Sequence, residues 1–201
     1  MIFYHLVKNC SLAAFRFVKI KTQIMTENLI SKWKVDPNHS EVQFKVKHLA
    51  ISNVSGTFKI FNGIVEAGNE DFNNASIHFE IDTNSIDTNN AERDNHLKSP
   101  MFLDTEKFPK IVFDGALQKA EDDFILSGEL TIQETKRNIK METEFTGIGA
   151  GRFGDTRAGF EVTGKINRKE YGLNFSLLTE AGSLVVGEEI KLHFDIQLQK
   201  Q

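Results

Sequence analysis

Apolar and polar side chains alternate one for one along most of this 201-residue chain from Trp33 onward. The alternation is clearest in residues 41–48, 77–82, 139–145 and 190–199. Because successive side chains of a β-strand point to opposite faces, each segment has one apolar and one polar face. Several segments reach roughly ten residues, longer than the typical five or six. The pattern predicts an all-β domain of long antiparallel strands, folded as a sandwich or a closed barrel.

Residues with turn chemistry separate these segments. The signals are Asn62-Gly63, Asp114-Gly115, residues 121–123 and residues 149–151, which are rich in Gly, Asn and Asp and favour tight-turn backbone. We predict a turn at each of the four positions.

Residues 84–108 break the alternation. Residues 91–97 favour a helix of about two turns, and Pro100 ends it because proline disfavours helical geometry in the residue before it. We expect a second helical turn at residues 101–105. The interruption is thus one short helical excursion, at about residues 90–105, within a single domain that spans residues 31–200.

Residues 1–30 differ in character from the rest of the chain. Residues 1–24 are apolar and basic and contain no acidic residue. Their scattered Lys and Arg fit neither a secretory signal nor a membrane span, which needs about 20 apolar residues. We expect an N-terminal extension outside the fold, with translation beginning at Met25; an amphipathic surface helix or an organelle presequence is the alternative. A cytoplasmic location is the first choice and a periplasmic one the second.

The charge pattern excludes two classes of partner. The formal net charge is -4, and no Lys/Arg block is present. Phosphate binding needs clustered positive charge, so nucleic acid is not expected as a partner. The polar faces of the strands are rich in Lys, Glu and Asp and lack the Trp and Tyr girdles of outer-membrane barrels, so no stable membrane insertion is expected.

Phenylalanine is unusually frequent, with 17 Phe against two Tyr and one Trp. Phe adds bulk without a polar group and therefore suits an apolar interior. Nine residues are our candidates for lining an internal cavity, and their alternative role is to fill a dry core: Phe44, Val46, Phe58, Phe79, Phe102, Phe108, Phe113, Phe145 and Phe194.

Five polar residues are candidates for a gate that meets a ligand headgroup. Arg93, Asp94 and His96 lie on the predicted helix, and Arg93 and His96 are three residues apart, so they share a face. The alternative is that Arg93 and Asp94 cap loops and pair with strand backbone. Arg168 and Tyr171 allow the same two interpretations.

No metal site, cofactor or catalytic residue is predicted. The histidines are dispersed, whereas zinc needs three or four convergent ligands. His39 and Ser40 are adjacent on an extended segment, so their side chains point to opposite faces and are poorly placed for nucleophilic catalysis.

Short motifs follow one another in a characteristic order along residues 33–200. They are residues 33–40, 54–58, 85–88, 93–97, 128–132, 166–173 and 186–190, with Val42, Phe44, His48, Leu49, Phe61, Gly63, Phe102, Phe108 and Pro109 between them. Together they resemble the YceI-like domain family, whose members include polyisoprenoid-binding proteins. Residues 133–138 are more polar than the family pattern, and we expect a hairpin there with a different turn.

The resemblance implies a single antiparallel lipocalin-like β-barrel of about eight strands with a long internal cavity. It also implies a non-catalytic binding or carrier protein that holds a polyisoprenoid, a quinone or another long-chain amphiphile. A homodimer would be unsurprising in this family. The sequence is also compatible with two alternative functions. One is an enzyme that acts on a lipid or quinone inside the barrel, and the other is a dimeric interaction protein whose barrel is filled by its own side chains.

Overall fold

The computed structural model describes residues 30–68, 71–152, 154–176 and 185–201. The chain divides into two compact units, residues 1–30 and residues 31–201. The prediction for residues 1–29 lies outside the described residues, and the fold reported below is that of the second unit. No helix in the described ranges is long and apolar enough to cross a membrane.

Strands dominate the second unit. The strands are β1 (Ser31–Val35), β2 (Glu41–His48), β3 (Ser52–Phe58), β4 (Phe61–Ala67), β5 (Ala75–Asp82), β6 (Ile86–Asp87), β7 (Lys110–Ala120), β8 (Asp123–Ile132), β9 (Thr135–Ala150), β10 (Thr156–Asn167) and β11 (Val186–Lys200). The described residues also form one α-helix, α1 (Ala91–Lys98), and short 3-10 helices at Pro37–His39, Thr83–Ser85 and Arg168–Tyr171.

Eight strands close into an antiparallel barrel. Their order is β1-β4-β5-β7-β8-β9-β10-β11, and β11 pairs back onto β1. Because β11 is 15 residues long, its C-terminal end pairs with β1 and its N-terminal part pairs with β2. Strand β2 continues the sheet to β3 and then to the short β6. The predicted all-β fold, with a closed barrel of about eight strands, is confirmed.

Two of the four predicted turns are wrong. Gly63 lies inside β4 and Gly115 lies inside β7. A Cβ on Gly63 would come within 2.6 Å of the Phe79 ring, and one on Gly115 within 2.6 Å of the Phe113 ring. These glycines therefore make room for interior rings rather than turning the chain. The turn predicted at residues 121–123 does join β7 to β8, and the one predicted at residues 149–151 falls at the end of β9, where the connection to β10 begins.

The helical excursion is confirmed only in its first part. Helix α1 follows Asn90, whose side chain accepts a hydrogen bond from a backbone N–H of the first turn. Residues 101–105 form hydrogen-bonded turns instead of the predicted second helical turn. The backbone N–H groups of Leu103 and Thr105 donate to carbonyls of α1, both at 3.0 Å. These bonds fold the segment back onto the end of the helix.

Helix α1 and the turns after it lie at one end of the barrel, called here the helix end. The Gln133 side chain, in the β8–β9 turn, donates a hydrogen bond of 2.7 Å to the carbonyl of Phe102. Leu97, Phe102 and Leu103 face the barrel interior at this end.

A cluster of rings fills the opposite end, called here the aromatic end. Phe72 has a left-handed φ of 56° and is fully buried, although it lies outside the strands. Its ring centroid lies 5.0 Å from that of Trp33 and 5.1 Å from that of Phe160. Phe124 and Phe145 complete the cluster. The cluster closes off the interior at this end with contacts of the usual aromatic geometry.

Candidate ligand-binding cavity

Two adjoining cavities lie inside the barrel. The inner cavity measures about 90 Å³ and extends toward the aromatic end, where Phe160 and Leu198 border it. The outer cavity measures about 150 Å³ and extends toward the helix end, where Leu97 and Phe102 border it. The residues common to both walls are Ile81, Ile111, Leu130, Leu192 and Phe194.

The walls are almost wholly apolar. Among the described residues that line the inner cavity, Thr143 alone carries a hydroxyl, amide or charged group. In the wall of the outer cavity, the described residues with such groups are Gln43 and Arg168. A cavity of about 150 Å³ with such walls suffices to bind benzene, whereas sites for drug-sized molecules begin at roughly 300 Å³. The interior is therefore not filled by side chains, but its free volume is small.

Seven of the nine residues predicted to line a cavity do border one. Phe194 lies in the common wall. Phe79 and Phe113 border the inner cavity, and the residues on the outer cavity are Phe44, Val46, Phe58 and Phe102. Their contact with a ligand stays a prediction.

Phe108 and Phe145 are not among the residues that line these two cavities. The Phe108 ring packs under the ammonium group of Lys107, 4.6 Å from its centroid. Phe145 faces inward but stacks within the aromatic end, 5.2 Å from the Phe160 ring. Alternation along a strand shows which face a ring is on, but it does not reveal these packing partners.

Arg93 and Asp94 bind the loop that follows β6. One carboxylate oxygen of Asp94 accepts hydrogen bonds from the Thr88 backbone N–H, at 2.9 Å, and from its hydroxyl, at 2.5 Å. Arg93 donates to the Thr88 hydroxyl and to its carbonyl, both at 2.7 Å. Both side chains therefore anchor α1, which is the loop-pairing interpretation of these two residues.

His96 lies beside the outer cavity in a small cluster of rings. Its ring meets Phe102 edge-on at 4.9 Å and Phe175 edge-on at 5.2 Å. Phe102 and Phe175 are themselves 4.5 Å apart. His96 is exposed and is not among the residues that line the outer cavity, so its predicted contact with a ligand headgroup stays a prediction.

Arg168 is a buried cation in the wall of the outer cavity, with only 3% of its surface exposed. Its guanidinium donates to the backbone carbonyls of Leu173, Val186 and Gly187. Burial lowers the pKa of Arg168, and the negative charge of Glu188 opposes that shift. An arginine side chain has five N–H groups, and three of those of Arg168 are paired with these carbonyls of the described residues.

Tyr171 is buried apart from both cavities. Its side chain lies near Ile139 on β9, and burial raises the pKa of its phenol to about 12. Within the described residues, its hydroxyl has no hydrogen-bond partner. Arg168 and Tyr171 are three residues apart, yet Arg168 alone borders a cavity.

Thr143 lines the inner cavity but is not among the residues predicted from the sequence to do so. It is 3% exposed and faces inward between the outward-facing Glu142 and Glu144. A polar residue at an inward position of an alternating strand was the signal that could have identified it.

The described residues of the cavity walls include few ionisable side chains. No carboxylate, histidine or cysteine lines either cavity among the described residues. In the same part of the chain, no group of three or more His, Cys, Asp and Glu residues could hold a metal ion.

Comparison with known proteins connects this barrel to one family. Residues 33–198 match the family model of the YceI-like domain. A UPF0312 protein of Staphylococcus epidermidis is 36% identical over 163 residues, which cover 81% of this chain and 94% of that protein. A UPF0312 protein of Staphylococcus aureus shows the same identity and the same coverage.

Solved structures share the barrel. Campylobacter jejuni YceI protein is 28% identical, with a TM-score of 0.66 over 77% of this chain and 90% of that one. BcnA of Burkholderia cenocepacia is 19% identical, with a TM-score of 0.70 over 81% of this chain and 98% of its own. A Saccharophagus degradans domain described as polyisoprenoid-binding is 14% identical, with a TM-score of 0.64 over 84% and 98%. At 19% and 14% sequence identity, the comparisons with the last two proteins establish a shared fold.

Proposed function

This chain belongs to the YceI-like family, and from that premise we propose that it holds a long-chain apolar molecule inside its barrel and leaves it chemically unchanged. The single observation that carries the proposal is the pair of adjoining cavities with apolar walls. The structural neighbour described as polyisoprenoid-binding supports a polyisoprenoid as ligand, with quinones and similar amphiphiles in the same class.

The energetics favour such a ligand. Each methylene moved from water into an apolar cavity contributes about 0.8 kcal/mol. About three five-carbon isoprene units would therefore exceed the roughly 8 kcal/mol of micromolar binding, before the costs of association. Apolar walls alone can thus supply the affinity.

The ligand must move side chains as it enters. Even together, the two cavities enclose less than the roughly 300 Å³ at which small-molecule sites begin. The Phe194 side chain stands in the wall common to both. A change of its rotamer would join the cavities into one channel.

Native mass spectrometry of the full chain tests the proposal. We would add farnesol or a short-chain ubiquinone and analyse any lipid that co-purifies. The Ile111→Phe variant places a larger side chain in the common wall, where Ile111 is 7% exposed, and should abolish or strongly weaken binding. Ile60→Phe is the matched control because Ile60 is 60% exposed, and it should bind like the native protein. Absence of any bound lipid or added ligand would refute the carrier function.

A further inference from the structure

Thr143 places one polar atom in an otherwise apolar chamber. Its Oγ1 atom is buried and, within the described part of the chain, has no hydrogen-bond partner. In the sheet, Thr143 lies opposite Phe124 on β8 and Val162 on β10. Phe124 belongs to the aromatic end, so the hydroxyl lies at the deep part of the inner cavity.

A hydroxyl at this position is unfavourable in the free protein. A buried donor without a partner loses its hydration and gains nothing in exchange. Valine has nearly the same shape and would suit these walls without that loss. Water is a poor partner, because a buried water needs two to four polar groups and the inner cavity offers one such side chain. The neighbouring backbone is already paired in the ladders of β9 with β8 and β10.

We propose that the Thr143 hydroxyl binds an oxygen atom at the end of the apolar ligand that enters the barrel first. This inference rests on the proposed carrier function and narrows its ligand class. The ligand is then a long apolar chain with a hydroxyl or carbonyl at its buried end, and not a chain that ends in plain hydrocarbon. A hydroxyl both donates and accepts, so it suits either group.

A matched pair of probes tests the inference on the full chain. Geranylacetone is an isoprenoid chain that ends in a methyl ketone, and its isostere carries C=CH₂ in place of C=O. Binding of both is measured by calorimetry to native protein, Thr143→Val and Thr143→Ser. Thr143→Val should lower the ketone-to-alkene affinity ratio roughly three- to tenfold, the effect of one hydrogen bond. Thr143→Ser retains the hydroxyl and should keep most of the native ratio.

Two controls separate the outcomes. The melting temperature of unliganded Thr143→Val should equal or exceed the native value, which shows that the variant is folded. If both probes bind native protein and Thr143→Val leaves the ratio unchanged, the Thr143 inference is wrong and the carrier function stands. If neither probe binds native protein although farnesol or a short-chain ubiquinone does, this inference is overturned and the carrier function stands. If none of these ligands binds and no lipid co-purifies, both fail.

Discussion

At the scale of single residues, Arg168 is a charged side chain that is almost fully buried. It follows β10 directly and bonds to carbonyls on both sides of the segment between residues 173 and 186. Among the described residues its hydrogen-bond acceptors are all backbone oxygens, and the nearby negative charge of Glu188 offsets only part of the cost of burying the guanidinium. The planar guanidinium has five donors in a fixed fork, and this geometry suits divergent acceptors better than a single ammonium does.

Replacing Arg168 by Lys should therefore destabilise the fold although the charge is kept. We expect a loss of about 2–4 kcal/mol in the free energy of unfolding, because a lysine cannot reach all three carbonyls at once. Denaturant unfolding measures this loss. Arg137→Lys is the matched control, since Arg137 is exposed and its hydrogen bond within the described residues is local, to the carbonyl of Lys136 at 3.0 Å. Equal stability of the two variants would contradict the role assigned to Arg168.

Residue-scale features were predictable only where the local pattern decides them. Inward positions such as Phe44 and Phe194 follow from alternation, and both do border the cavities. Phe72 was not predictable, because it lies outside the strands and its ring meets Trp33 and Phe160 from other parts of the chain. Such contacts depend on how strands separated in sequence are aligned in the sheet, which alternation leaves open.

At the scale of elements, α1 is held to the barrel by polar contacts. Its apolar residue Leu97 reaches the outer cavity, but none of the helix residues is buried. Asp94 and Arg93 make four hydrogen bonds to Thr88, all of 2.9 Å or less. An eight-residue helix is only marginally stable by itself in water. We therefore expect the hydrogen bonds to Thr88 to keep α1 in place at the helix end of the barrel.

Replacing Asp94 by Ala should release the helix. Both groups of Thr88 that donate to Asp94 would lose their acceptor, at a cost of about 1–2 kcal/mol. Hydrogen exchange of the α1 amides should become faster, and a bound ligand should dissociate faster. Glu92→Ala serves as the control, because Glu92 is an exposed residue of the same helix turn and its loss should stay within about 0.5 kcal/mol. Unchanged exchange in Asp94→Ala would show that α1 is held by other contacts.

The same scale shows why two predicted turns became strand interior. The dipeptide Asp114-Gly115 is typical of tight turns. Gly115 nevertheless pairs with Gly128 in the middle of two long strands. The Phe113 ring lies against both glycines, closer than a Cβ would allow. Glycine can mark a turn or a close approach of a large ring, and the one-dimensional sequence does not distinguish them.

At the scale of the whole molecule, closure of the barrel depends on the seam between β1, β11 and β10. Asp36 follows β1, and its backbone N–H donates to the carbonyl of Gln197 on β11 at 2.8 Å. Its carboxylate accepts a hydrogen bond of 2.6 Å from Arg157 on β10. Arg157 also donates to the Gln197 side chain and, at 2.8 Å, to Asp155. The Arg157 guanidinium on β10 is thus bonded to Asp36, which follows β1, and to Gln197 on β11.

The pH dependence of this seam follows from the pKa of Asp36. Burial alone would raise that pKa, but hydrogen bonds from Arg157 and His39 outweigh burial and hold it below its ordinary value of 3.8. A carboxylate with a lower pKa in the folded state stabilises the fold at pH values above its unfolded pKa. This stabilisation is lost as the pH falls through the folded pKa.

Replacing Asp36 by Asn should therefore lower the melting temperature at neutral pH and have less effect in acid. We expect a deficit of roughly 3–6 °C at pH 7, from the loss of a charge-assisted hydrogen bond in a domain of this size. Thermal unfolding of both proteins between pH 7 and pH 2 should show the deficit shrinking below pH 3.8. Asp195→Asn is the control, since Asp195 is 55% exposed on β11 and should cause little change at any pH. A deficit that stays constant down to pH 2 would mean that the charge of Asp36 does not contribute to closure of the barrel.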